Sequence, residues 1–323
     1  MTKQTGRTVA NNSLIKAARH RAPGALHATA VAAVLLLASL LAGCTRGGGA
    51  SAEPAAATHA GGTSNTIRVA IIGGMTDTGF WDAVVKRFQE GPGRGFQVEV
   101  VATGPKHVIG PVFARGEADL ITMHASDTII NLVADGHATD PQPWLKNDLV
   151  IVGPRDDPAG IRGLHSAKVA FARIAEKKSP FVVHASLGAQ EVMREILSAG
   201  DVLMPSERLH ILFSDRAPEV LRIAAEKQAY TLVGRIPFRS GKLPNAGLEI
   251  MLQGDPLLRR PYVVAVADPA RYPTACVAGA RRLAAFLTSA ETQEWIRGYG
   301  VGQLDDQPLF YPVTPRPSAA EPR

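Results

Sequence analysis

Histidines, paired aspartates and a glycine turn are the residues whose types could do chemistry in this chain, and their spacing argues against most of it. Val69-Ala70-Ile71-Ile72-Gly73-Gly74 has the strand-then-glycine form of a dinucleotide-binding turn. Gly73, Gly74 and Gly79 do not, however, give the spacing that brings a pyrophosphate onto a helix start. Asp156-Asp157 and Asp305-Asp306 are adjacent carboxylates, and neighbouring side chains point apart, so such pairs mark solvated turns more readily than an acid/base couple. His165, His184 and His210 are too scattered to constitute a metal motif unless distant residues converge, and no nucleophile elbow occurs. Catalysis therefore lacks a constellation, no cofactor or metal is expected, and binding is the reading left.

The elements that must position binding residues alternate between strand and helix. Ile67 to Ile72 reads as a strand ending in Gly73-Gly74, and Trp81, Val84, Val85 and Phe88 then fall at helical spacing, which makes a βα unit. Residues 96–101 alternate like a second strand, a helix is expected over 107–115, and 118–123 form a third strand. Further strands are expected at 149–152, 169–171, 209–212, 230–233, 248–252 and 262–266. Such alternation favours α/β layers with a largely parallel sheet, whose ligands gather beyond the carboxyl ends of the strands. Arg281-Arg282 beside Leu283 and Phe286 reads as the wet side of an amphipathic helix.

The N-terminus has a different character. Lys3, Arg7, Lys16, Arg19 and Arg21, with no acid among them, precede an Ala/Val/Leu stretch too short to span a bilayer and ending in Leu41-Ala42-Gly43-Cys44. This run resembles a bacterial lipoprotein signal, although a cleaved secretory signal or a short membrane anchor can look the same. The resemblance implies a signal over 1–43, lipidation of Cys44, and a mature protein tethered to the membrane outside the cytoplasm, in the cell envelope. Residues 44–64 are Gly, Ala, Ser, Thr and Pro with hardly a large apolar side chain and are expected to form a flexible tether. A Pro-rich tail, 316–323, is expected to be disordered. Of 35 Lys+Arg and 29 Asp+Glu, the five bases of the signal leave 30 against 29 in the remainder, so the basic balance says nothing of nucleic acid, which is set aside. With Cys44 lipidated, Cys276 has no partner, so neither a disulfide framework nor a cysteine zinc site can form, and Cys276 reads as a buried small hydrophobe.

Asn147 to Ile161, reading NDLVIVGPRDDPAGI, closely resembles the matching segment of the tungstate-binding proteins of ABC importers. The similarity continues in order through Ile174-Ala175-Glu176, Pro180-Phe181, Ala224 to Leu232, Pro261-Tyr262 and Phe286 to Ser289, and spans about 67–312. It implies an α/β, two-lobed type II periplasmic binding protein fold with two crossing hinge strands. On this basis lobe 1 is expected at 65–150 and 260–315, lobe 2 at 151–259, and the protein is expected to be monomeric.

A cleft for a tetrahedral dianion needs backbone N–H groups at helix starts, neutral hydroxyls and few positive charges. The resemblance implies such a site at Gly73, Gly74, Thr76 and Thr78 after the first strand, His124 and Ser126 after the third, His184 and Ser186 in the second lobe, and Arg235. Two loops depart from the family pattern. A Thr-Thr-Thr-Ser run is replaced by Ile71 to Gly74, and an arginine is replaced by His184, which is charged only in part near neutral pH. The same residues have ordinary uses: Ser126 and Thr78 as helix caps, His124 in the core, Arg235 in an ion pair. The implied partners are a small anion of the tungstate or molybdate kind and an ABC permease. The alternative is a binding-protein scaffold reused as a sensor or interaction module.

Overall fold

The computed structural model describes residues 65–183, 187–212 and 216–314. The expected signal with Cys44, the tether, His184, Ser186 and the 316–323 tail lie outside the described residues.

β1 (Thr66–Ile72) is buried along most of its length and runs into α1 (Gly73–Thr76) and α2 (Phe80–Glu90). The apolar spacing of α2 works as a helix face: Phe80, Trp81, Val84 and Phe88 are all buried. β2 (Gln97–Gly104) and α3 (Lys106–Ala114) follow, then β3 (Leu120–His124) and α4 (Asp127–Ala134). β1 lies between β2 and β3, parallel to both. The strand ends of β1, β2 and β3 thus open at one edge, each leading into a helix.

β4 (Ala138–Gly153) is far longer than the apolar run 149–152 suggests. Its first part belongs to the sheet of β1 to β3, and residues 149–153 pair in a second sheet. The second sheet holds β5 (Phe181–Val183), β6 (Leu209–Ile211), β7 (Tyr230–Gly234) and β8 (Glu249–Leu252). Between them run α5 (Ala167–Glu176), α6 (Leu187–Gly200), α7 (Ala217–Glu226) and the short α8 (Arg235–Arg239). The chain then returns through β9 (Arg259–Ala267), antiparallel to both β3 and β4, and finishes with α9 (Val277–Thr288), α10 (Ala290–Gly298) and β10 (Tyr311–Pro312). β4 and the segment entering β9 are the two crossings, and the result is an α/β body of two lobes.

Apolar cores form on both sides of these crossings. One gathers β1, β3, β9, α2 and α9, with Ile236 of α8 also reaching into it. Two more cover the faces of the second sheet, around Phe171 and Phe181 on one side and Val220 and Leu221 on the other.

Two expectations are corrected. The sheets are mixed, because the parallel strands flank the long antiparallel β4 and β9. Val169-Ala170-Phe171 is helix, not strand. Ser166 caps α5 by accepting from the Val169 N–H, and Ala167, Ala170, Phe171 and Ile174 are buried at helical spacing, a pattern that a three-residue apolar run cannot reveal.

Candidate functional site

The loop after β1 is held from behind. Met75 is fully buried, and Phe80 seats the start of α2 among Trp144, Trp295, Tyr299 and Phe310, with ring centroids between 4.4 and 6.0 Å away. The Tyr299 hydroxyl donates to the Gly79 carbonyl at 3.3 Å, and the Gln303 amide donates to the Thr78 carbonyl at 3.2 Å. Gly79 takes φ of 71°, which a side chain would resist, so the turn into α2 is specified by its glycine. Within this loop the Thr76 hydroxyl donates back to Gly73 O at 2.8 Å, whereas Thr78 Oγ1 is enclosed without a partner. Gly73 and Gly74 remain half-buried at the strand end. Asp77 pairs with Lys242, which lies between α8 and β8, so this loop is tied to a segment of the second-sheet half.

The ends of β3, β4 and β9 bring a second group together. His124 stands opposite Tyr262, ring centroids 4.2 Å apart, and Asn147 stands opposite Arg260. His124 Nε2 accepts from Arg260 Nη2 at 3.1 Å and from Asn147 Nδ2 at 3.3 Å, which puts the ring proton on Nδ1. Burial, then the charges of Arg260 and Lys106, hold His124 well below the ordinary histidine range, so it is neutral. Lys106 opens α3, and burial and Arg260 lower its pKa in turn. Arg260 is half-buried, its Nε is enclosed without an acceptor, and no carboxylate among the described residues forms an ion pair with it. Asn147 Oδ1 is likewise enclosed without a donor.

α6 approaches this group from the other half. A β-carbon on Gly188 would stand 2.7 Å from Arg260 Nη1, so the glycine is what lets the first turn of α6 come up against the guanidinium. The loops of both halves therefore meet at Arg260.

The residues expected at the site divide. Gly73, Gly74, Thr76 and Thr78 follow β1, and His124 ends β3 beside Arg260. Ser126 is the residue before α4, but its side chain accepts no helix N–H; its hydroxyl donates to His124 O at 3.3 Å. Arg235 is moved from ligand contact to a tie between segments. It is wholly buried, with Nε on both Asp148 oxygens at 2.9 Å, Nη1 on Asp305 at 2.8 Å and Nη2 on the carbonyls of Pro308 and Leu309, so no donor faces an opening. Burial pushes the Asp148 carboxyl up against the pull of Arg235. Arg260, Lys106 and Asn147 were not singled out from sequence. The second arginine of Arg259-Arg260, before Pro261-Tyr262, looks like any strand residue, and only the pairing of β9 with β3 and β4 brings it to His124 and Asn147. Two surface concavities, of about 570 Å³ beside Pro154 and about 430 Å³ beside Trp81, lie away from this group.

An α/β body whose strand-end loops meet from two lobes across crossing strands has the architecture of a periplasmic-type solute receptor. The chain belongs to the bacterial extracellular solute-binding protein family, whose pattern it matches over residues 67–301; that family comprises substrate-binding proteins of ABC transporters and not enzymes. A Haloferax volcanii protein described as an ABC transporter anion-binding protein is 31% identical over 299 residues, 89% of this chain and 84% of the relative. The tungstate-binding protein TupA of Peptoclostridium acidaminophilum is 26% identical over 87% of this chain and 96% of its own. Among solved structures, the tungstate-binding TupA of Desulfovibrio alaskensis superposes with a TM-score of 0.62 at 23% identity, covering 77% of this chain and 99% of that one. The tungstate ABC transporter structure from Geobacter sulfurreducens gives 0.59 at 25% identity, over 72% and 98%. Among the described residues no helix is long and apolar enough to cross a membrane.

Proposed function

We propose that this protein is the extracytoplasmic receptor of an ABC importer, tethered through a lipid on Cys44, and that it holds a small tetrahedral oxyanion of the tungstate or molybdate class between its lobes. The observation that carries the reading is the meeting of loops from both halves around Arg260, a guanidinium without a carboxylate partner among the described residues. A half-buried cation without a carboxylate partner, beside the start of a helix, is a costly arrangement until an anion neutralises it. The relatives described as anion- and tungstate-binding support the same ligand class.

In this reading the lobes, 65–150 with 260–315 and 151–259, close on the ligand about β4 and the segment entering β9. A permease then recognises the closed form, because closure brings both lobes into one geometry. The Asp77–Lys242 pair supports such a closed arrangement, although exposed pairs of this kind contribute only about 1 kcal/mol or less.

Calorimetric titration with tungstate, molybdate and sulfate tests the ligand class. Micromolar or tighter binding of at least one is expected; no heat from any of them returns the chain to the class of reused scaffolds. The anchor is tested separately. Cys44→Ser is expected to release the protein from the membrane fraction, and unchanged fractionation removes the lipid from the proposal.

A further inference from the structure

We propose that Asp77 and Lys242 form a latch between the lobes, which shuts only when the cleft closes and sets how long the anion stays, not how fast it enters. This rests on the receptor reading above and adds the contact that times release.

The two residues belong to different halves. Asp77 lies in the loop after β1, between Thr76 and Thr78. That loop is fixed from behind by Gly79 at φ of 71° and by Tyr299 and Gln303, which donate to the carbonyls of Gly79 and Thr78. Lys242 lies beyond α8. The turn that carries it has Gly241 at φ of 74°, and the Leu243 N–H donates to Pro237 O at 3.0 Å. Phe238 and Leu243 pack against the second-sheet core that contains Val220 and Leu248, so Lys242 is carried by the second half. Each charge is therefore presented on backbone held within its own lobe, and the ion pair spans the two.

Its place relative to the crossings separates this pair from the other ties between the halves. Arg235 directly follows Gly234, which pairs with Leu149 where β4 passes from one sheet to the other. Arg235 and Arg239 both end on Asp305, which is 7% exposed. Those ties sit at the pivot, where a rotation of the lobes moves atoms least. Asp77 and Lys242 lie beyond the ends of β1 and α8, and their side chains are 33% and 55% exposed, so the pair can part without uncovering core. A contact made only in the closed form favours that form alone. It slows opening and release, and it leaves the encounter with the open form unchanged. An exposed pair of this kind is worth up to about 5-fold in the closing equilibrium, and salt weakens it.

The test is stopped-flow release of whichever of tungstate, molybdate and sulfate binds most tightly in the calorimetry, from the unmodified protein, Asp77→Asn, Lys242→Gln and the double variant. Both side chains are exposed enough for the variants to keep the fold. In about 0.05 M salt, Lys242→Gln is expected to speed release by about 5-fold while association stays within about twofold; in about 0.5 M salt the two proteins should converge. In the Asp77→Asn background the same change should alter release by less than about twofold, because the partner it loses is already gone.

Release unchanged by Lys242→Gln overturns the latch and leaves the oxyanion reading intact. So does an equal acceleration with and without Asp77, which would make the ammonium act on the anion directly and not through the carboxylate. Silence of the unmodified protein toward all three oxyanions overturns both.

Discussion

Arg235→Met is expected to cost about 3–5 kcal/mol of folding stability, measured by urea unfolding, while changing oxyanion affinity little in the protein that still folds. The guanidinium is wholly buried and satisfies two carboxylates, Asp148 at 1% exposure and Asp305 at 7%. It also caps the carbonyls of Pro308 and Leu309. Removing it strands that set: the Tyr311 hydroxyl at 3.2 Å from Asp148 and Arg239 at 3.3 Å from Asp305 replace only part of the charge. Burial already pushes the Asp148 carboxyl up with Arg235 in place, and removing the guanidinium takes away the main pull in the other direction, so the carboxyl is driven further up. An arginine that gripped ligand would behave in the opposite way, losing affinity with little change in unfolding. A stability loss below about 1 kcal/mol together with a collapse of binding would return Arg235 to the ligand shell.

The position of Arg235 explains what this network does for the site. It begins α8, directly after β7 of the second sheet, and its acceptors include the chain between α10 and β10 on the other side of the crossings. Asp148 sits on β4 next to Asn147, whose amide donates to His124. The tie thus holds the register of the strand that carries Asn147 to His124, and its own donors are all spent on protein acceptors.

The fold was legible where short-range pattern and tertiary burial agree. Trp81, Val84 and Phe88 read as a helix face and form one, and the Ile67 to Ile72 run ends in glycines that do open a strand-end loop. Legibility failed where a segment is too short for its period to show, as at Val169-Ala170-Phe171. It failed again in β4, where Pro141 and Pro143 break the apolar pattern and the pairing shifts register between Thr139 and Gln142 and between Pro143 and Leu145. Of the proposed site, His124 and the loop after β1 could be singled out along the chain because they follow strands. The cationic centre was not, because the significance of Arg260 lies in the Gly188 approach and the Asn147 pairing, neither of which is written within a few residues of it. Along the chain Arg235 looked like the better candidate; the distant Asp305 and Asp148 decide its role.

His124 makes the surroundings of Arg260 measurable through pH. Its ordinary value is 6.5, and burial, Arg260 and Lys106 hold it well below that in the folded protein. Below pH 6.5 the unfolded chain therefore takes up a proton that the folded chain refuses. Stability contributed by the neutral ring is present above 6.5 and is lost as pH falls, at about 1.4 kcal/mol per pH unit for one proton. His124→Gln, which keeps an acceptor for Arg260, is expected to remove that slope from urea unfolding measured between pH 7 and pH 5. Carboxylates titrating lower down affect both proteins, so the difference between them isolates the ring. An identical pH dependence in the variant would mean that His124 charges freely in the folded state and cannot be the uncharged acceptor behind Arg260. The same comparison made with tungstate present bears on the cause: a dianion beside Arg260 and Lys106 offsets the field that keeps the ring neutral, so the acid-side loss should shrink when the site is filled. Burial by itself predicts no such change, and a loss of equal steepness with and without tungstate would assign the depressed histidine to desolvation and not to the two cations.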